Sequence, residues 1–157
     1  MSRNKYPEQT VEKIVDLLDE AADTLPWEVD ADNDGHLTKA AAIALKSRVL
    51  LFAASPLFNA DEPYLQGDAS AQLITWYGNY SADRWQKALD AGLQFMRENN
   101  GRYKLVNTGN PREDFAAGYF NRHNGEVLIS SRRFTTYMTG KTPFAQIRYG
   151  VASPTLN

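Results

Sequence analysis

Apolar residues return every three or four positions through the first hundred residues, and the way polar residues are set against them changes from one run to the next. Val11, Ile14, Val15, Leu18, Ala22 and Leu25 share one side of a helix, opposite Glu12, Lys13, Asp16, Asp19, Glu20 and Asp23. Pro7 and Glu8 suit its first turn, and it should end before Pro26. The run from Lys39 to Ala54 is different: Ala40, Ala41, Ala42, Ala44, Leu45, Val49, Leu50, Leu51, Phe52, Ala53 and Ala54 leave no broad polar face. Thr38 is placed to cap this helix, and Pro56 forces Ser55 out of helical geometry. A helix apolar on nearly every side has to be covered by others. Lys46 and Arg48 interrupt it too early for a membrane span, so their stems should lie along neighbours with the charges reaching water.

A third helix opens at Ser81 or Asp83, carries Trp85, Ala88, Leu89, Gly92, Leu93 and Met96 on one stripe, and ends near Gly101. Trp85 is expected in the core. Beyond Gly101 the pattern weakens. Asn110, Pro111 and Glu113 read as a cap, a first-turn proline and a reciprocal third residue, opening a short helix through Phe120. Asn124-Gly125 marks a turn, Glu126 to Phe134 a strand or extended segment, and the remainder from Thr135 loop.

The third helix, with its aromatic start and small Gly92, is similar to the second helix of a tetratricopeptide unit, and the buried helix to a first. The connection between them, residues 57–80, is far longer than the turn of such repeats, and long connections in compact domains tend to be functional or disordered. The expected fold is therefore mainly α. A tetratricopeptide-like scaffold spans 7–101 with a long insertion at 57–80, and an irregular part follows over 102–157, the whole forming a single partial domain.

From Gly35 to Asn59 the chain reads Gly-His-Leu-Thr-Lys-Ala-Ala-Ala-Ile-Ala-Leu-Lys-Ser-Arg-Val-Leu-Leu-Phe-Ala-Ala-Ser-Pro-Leu-Phe-Asn. This run resembles the SusD/RagB family of outer-membrane nutrient-uptake lipoproteins. Glu126 to Phe134 and the tail from Gly150 to Asn157 resemble further family segments, although Leu156 stands where a glutamine is usual. The resemblance implies a non-enzymatic protein at the surface of a Gram-negative cell that binds a glycan or other nutrient and delivers it to a SusC-like TonB-dependent transporter. It implies no cofactor, and contact with the membrane only through a lipid anchor absent from this chain. Met1 to Thr10 is polar and unlike a secretory signal, so the chain is expected to be an internal fragment of a longer protein. The alternative is a generic helical-repeat module that binds a protein or peptide on a concave face.

Charge refines the picture little. The net formal charge of -2 gives no reason to expect nucleic acid, but residues 1–100 carry 9 basic and 16 acidic groups while residues 101–157 carry 8 and 3. The absence of cysteine removes disulfides, thiolate metal sites and a cysteine nucleophile.

Asp30, Asp32, Asp34 and Gly35 match the opening of a calcium loop, but its twelfth position would be Ala41, inside the buried helix, so an acidic turn is expected. His36 and His123 lack the paired ligands of a zinc hydrolase. Asp61-Glu62 and Glu113-Asp114 are adjacent loop pairs and not the separated carboxylates of a glycosidase, so no catalytic residue is assigned. Arg132 and Arg133 would alternate sides in an extended segment.

The insertion is rich in aromatics: Phe58, Tyr64, Trp76, Tyr77 and Tyr80. Their plainest role is to anchor the insertion on its scaffold. Their functional role would be to stack on sugar rings while Asp68, Gln72 and Asn79 bond hydroxyls. Trp76, Tyr77 and Tyr80 are the carbohydrate-binding candidates.

Overall fold

The computed structural model describes residues 7–30, 32–121 and 124–129. Every regular element among them is helical. The first, α1, spans Pro7–Thr24, and the apolar helix, α2, spans Lys39–Ala53. Thr38 caps α2 as expected: its backbone is extended and its Oγ1 accepts from the Ala41 amide at 3.2 Å. At the other end the Ala54 amide reaches the Leu50 carbonyl at 2.9 Å, and Pro56 follows. A single turn, α3, covers Asp68–Ala71 within the insertion. α4 spans Ala82–Glu98, and of its two candidate caps Ser81 serves, its Oγ accepting from the Asp83 amide at 3.3 Å. Asn100 and Gly101 take positive φ just past its end, as a helix stop requires.

α5 covers Pro111–Phe120, with the Asn110 side chain accepting from the Arg112 amide at 3.1 Å. Asn110 Nδ2 also donates to the Glu113 carboxylate at 3.1 Å, so the reciprocal contact is between side chains and not to the cap backbone. No strand is found among the described residues. Of the segment from Glu126 to Phe134, only residues 126–129 are described, and they are not a strand. His123, Arg132, Arg133 and the tail from Gly150 lie outside the described residues.

α1 and α4 each pack on α2, and their backbones do not come together. The side chains that vanish at these contacts are small: Ala40, Ala41, Ala42, Ala53 and Ala54 from in and beside α2, Ala88 and Ala91 from α4, and Ala22 from α1. Ile43 is the one large side chain fully buried among the described residues. Alanine faces let helix backbones approach closely, so the centre is held by backbone proximity more than by bulk. Leu18, Ala21, Trp27 and Phe95 close around Ala22, Ala42 and Ile43.

Trp27 also stands 6.3 Å from Phe95, whose ring is 6.4 Å from Tyr103, and the Tyr103 hydroxyl donates to the Trp27 carbonyl at 3.3 Å. Lys39 and Arg102 approach the Trp27 ring at 5.9 and 5.5 Å. This cluster fixes the chain leaving α1 and the chain leaving α4 to the start of α2.

Two expectations need correcting. Trp85 is 40% exposed and is not a core residue, because no described element lies over the outer stripe of α4. Nor is α2 enclosed on every side: with neighbours on two sides only, Phe52 remains 61% exposed and Leu45 and Leu51 lie open as well. The Lys46 side chain does run along a neighbour, but its ammonium meets Asp19 of α1 at 2.6 Å.

Asn59 closes the base of the insertion. It is buried, and its amide donates to the carbonyls of Ala54 at 3.3 Å and Ser81 at 3.0 Å. Its Oδ1 accepts from the Ser81 amide at 2.7 Å and from Arg84 at 2.8 Å. One side chain thereby joins the end of α2 to the start of α4. Asn59→Ala strands several of these partners away from water and is expected to cost about 3 kcal/mol, read as a lower urea midpoint for the helical signal.

Gly92 behaves differently from its appearance in the sequence. A Cβ there would meet only Ser47 Oγ, at 3.5 Å, an ordinary contact. Gly92→Ala should therefore stabilise α4 by about 0.5–1 kcal/mol, seen as a raised urea midpoint with an unchanged slope.

Candidate functional site

The insertion is fastened to α4 by Arg84. Its guanidinium bonds Asn59 Oδ1 and the Asn79 carbonyl, both at 2.8 Å, and Asn79 Oδ1 at 3.0 Å, while lying 4.0 Å from the centre of the Tyr77 ring. Tyr77 is held from the other side of the loop, where its amide donates to the Phe58 carbonyl at 3.0 Å. Phe58 packs edge-on against Phe52 of α2, with centroids 5.1 Å apart. Leu73 takes a positive φ of 53°, and a Cβ on Gly78 would fall 2.9 Å from its side chain. Gly78, itself at φ 84°, is favoured by its backbone conformation, and a Cβ there would also have to displace the end of the Leu73 side chain.

The three carbohydrate-binding candidates have different surroundings. Trp76 is half-buried, and its indole Nε1 donates to the Ser70 carbonyl at 2.9 Å, tying the loop to α3. Tyr77 is half-buried under Arg84. Tyr80 is 50% exposed, with its amide directed at Asp61 Oδ1 at 3.4 Å. Phe58 is an anchor too, whereas Tyr64 is 79% exposed. Among the residues considered for hydroxyl bonding, Asn79 is engaged by Arg84, Asp68 sits in the first turn of α3 and Gln72 ends that helix.

Two grooves run along the helices. One, of about 590 Å³, lies between α1 and α4 with Leu50 and Ala53 of α2 as its floor. Val11 and Val15 extend the apolar surface up α1, and Ala91 does so on α4. Glu8, Glu12 and Asp16 rim the α1 side, and Arg84, Lys87 and Arg97 the α4 side. The second, of about 530 Å³, lies between α1, α2 and the insertion, lined by Ile14, Leu45, Val49, Phe52, Phe58 and Ile74 among others. Tyr77, Val11 and Ala53 border both grooves. Trp76 and Tyr80 line neither, and the three aromatic candidates do not share one groove.

The acidic residues serve local geometry. Asp30 Oδ1 accepts from the amide and side chain of Asn33 at 2.9 and 2.8 Å, and these bonds hold its carboxyl below the usual range. Asp61 faces the Tyr80 amide, Glu113 bonds Asn110, and Asp114 accepts from the Thr108 amide. Asn59 and Arg84, the two residues that shape the site most, were not singled out by the sequence reading. A signal did exist for Arg84: a cation in the first turn of a helix opposes the helix dipole, so something else must hold it there.

The chain is similar to a solved structure named BT4246, with 31% sequence identity and a TM-score of 0.52. The match covers 64% of this chain and 18% of that one, so it takes in less than a fifth of the length of BT4246. No protein-family model matches the chain, and no curated protein matches it. Among the described residues, no helix is long and apolar enough to cross a membrane.

Burial raises the Tyr77 phenol above its ordinary value of 10.0; the neighbouring Arg84 charge opposes the shift, while Glu8 and Glu12 add to it. Because the folded state holds this proton longer than the unfolded chain, its contribution to stability is complete below pH 10.0 and is lost as pH rises through the folded value. In an ultraviolet titration of phenolate, Tyr77→Phe should remove one late-ionising component and leave the earlier ones in place.

Proposed function

We propose that the chain is part of a SusD/RagB-like nutrient-uptake protein of the outer membrane, one that captures a glycan or other nutrient without cleaving it. The observation that carries this reading is the segment from Gly35 to Asn59. It folds into a capped, alanine-faced helix followed by Asn59, which clasps the next helix, and the chain is 31% identical to BT4246 over a match that covers 64% of it. In this reading the helices are the rigid mount. The aromatic insertion supplies ligand contacts, and the captured nutrient passes to a SusC-like TonB-dependent transporter at the cell surface, where a lipid anchor on the longer protein would hold it.

Within the insertion the three aromatics divide the work. Tyr80 offers an open ring for stacking, while Trp76 and Tyr77 brace the loop that presents it. Asp61, Glu113 and Asp114 bond loop amides and side chains, a use compatible with binding without hydrolysis.

The test is retention of the full-length protein on a panel of polysaccharides, with reducing ends assayed in parallel. Retention on one polysaccharide class without sugar release is expected, and Tyr80→Ala should weaken it by roughly 3- to 10-fold while Trp76→Phe leaves it unchanged. Sugar release abolished by a single carboxylate change would replace this reading with a glycosidase. Failure to retain any glycan, together with stable capture of a protein partner, would favour the helical-repeat interaction module.

A further inference from the structure

α2 touches α1 on one side and α4 on another, while α1 and α4 stay apart. No described element fills the trough between them, which has the position of a fourth helix in a bundle, since a helix laid there would meet all three neighbours. Its floor, Leu50 and Ala53 with Val11 and Val15 on one flank and Ala91 on the other, is apolar.

The flanks differ in charge. On α1 the exposed carboxylates of Glu8, Glu12 and Asp16 repeat every four residues along the rim. On α4 the ammonium of Lys87 and the guanidinium of Arg97 stand at the opposite rim, both exposed. Of the α4 carboxylates on that side, Asp90 accepts from the neutral Gln86 amide at 2.9 Å, a bond that does not cancel its charge, so the rim is positive in balance and not throughout. Glu98 accepts from Gln94 at 3.0 Å and pairs with Lys39 at 3.4 Å. Lys46 is likewise committed to Asp19.

An apolar floor between one anionic and one cationic rim is the complement of a helix with an apolar stripe, a basic edge and an acidic edge. We infer that this groove docks one amphipathic helix of a partner protein, its basic edge against Glu8, Glu12 and Asp16 and its acidic edge against Lys87 and Arg97. A neutral sugar chain has no use for opposed rims of charge, and a helix with both edges of one sign would be repelled by one wall. The inference does not depend on the nutrient-binding reading.

The probes are two synthetic helical peptides sharing one leucine stripe, the first with one lysine edge and one glutamate edge, the second with glutamate on both. In fluorescence anisotropy with the 157-residue chain, the first should bind at least about tenfold more tightly than the second at low salt, and the gap should narrow as salt is added. Glu12→Lys combined with Asp16→Lys changes only exposed positions of α1, and circular dichroism checks that the helices remain. That variant should reverse the ranking of the two peptides. Equal binding of both, binding of neither, or a ranking untouched by the variant would overturn the inference. So would exclusion of the first peptide by a longer form of this protein, which would make the occupant a segment of the same polypeptide.

Discussion

The structure depends on how closely two helices can approach α2. Its contact faces are alanine, with Ile43 the one large side chain sealed at the centre, and the partner surfaces on α1 and α4 are alanine as well. Small faces allow near backbone contact and gain dispersion over the length of a helix, but they remove little apolar area per residue. Such a core is sensitive to position. Anything that displaces α4 by the width of a methyl group separates surfaces with no bulky side chains to refill the gap. This explains why so much of the remaining machinery, the Trp27–Phe95–Tyr103 cluster at one end and Asn59 with Arg84 at the other, acts to pin helix ends.

Asn59 and Arg84 form a chain of consequence. Asn59 has two donors and an acceptor oxygen, and it uses them on α2, on the start of α4 and on Arg84. Arg84 is thereby turned toward the insertion, where it holds Asn79 and lies over Tyr77. The same contacts that close the base of a 24-residue excursion (residues 57–80) thus set the direction in which it leaves. With its two ends drawn together, the segment between behaves as an anchored loop and not a tether.

Much of the helical scaffold could be read directly from the chain. α1, α2 and α4 announce themselves through three- and four-residue spacing, and Thr38, Ser81 and Asn110 are caps because their side chains reach amides two or three residues ahead, a purely local fact. α3 escaped notice because four residues are too few to show a period. Trp85 was misplaced for another reason: an amphipathic pattern says which side of a helix is apolar, not whether anything lies against it. In the insertion, composition pointed to the aromatics but could not separate the pinned from the open. The bond from Trp76 to Ser70 and the guanidinium over Tyr77 depend on the path of an aperiodic segment, whereas Tyr80 is left half-open by that same path.

The open groove follows from the same packing. A helix apolar all round cannot be covered by two neighbours alone, and between α1 and α4 the partly buried Leu50 and the buried Ala53 form the floor of a groove. Were that face simply unfinished, the rims beside it would have no reason to be ordered by sign. Instead Glu8, Glu12 and Asp16 stand on one rim and Lys87 and Arg97 on the other, while Lys46 and Glu98 are ion-paired within the protein and Asp90, on the α4 rim, bonds the neutral Gln86 amide. Pairing of Lys46 and Glu98 leaves an anionic α1 edge opposite an α4 edge of positive balance, with an apolar floor between. The repulsion among Glu8, Glu12 and Asp16 is relieved when a helix with a basic edge lies beside them.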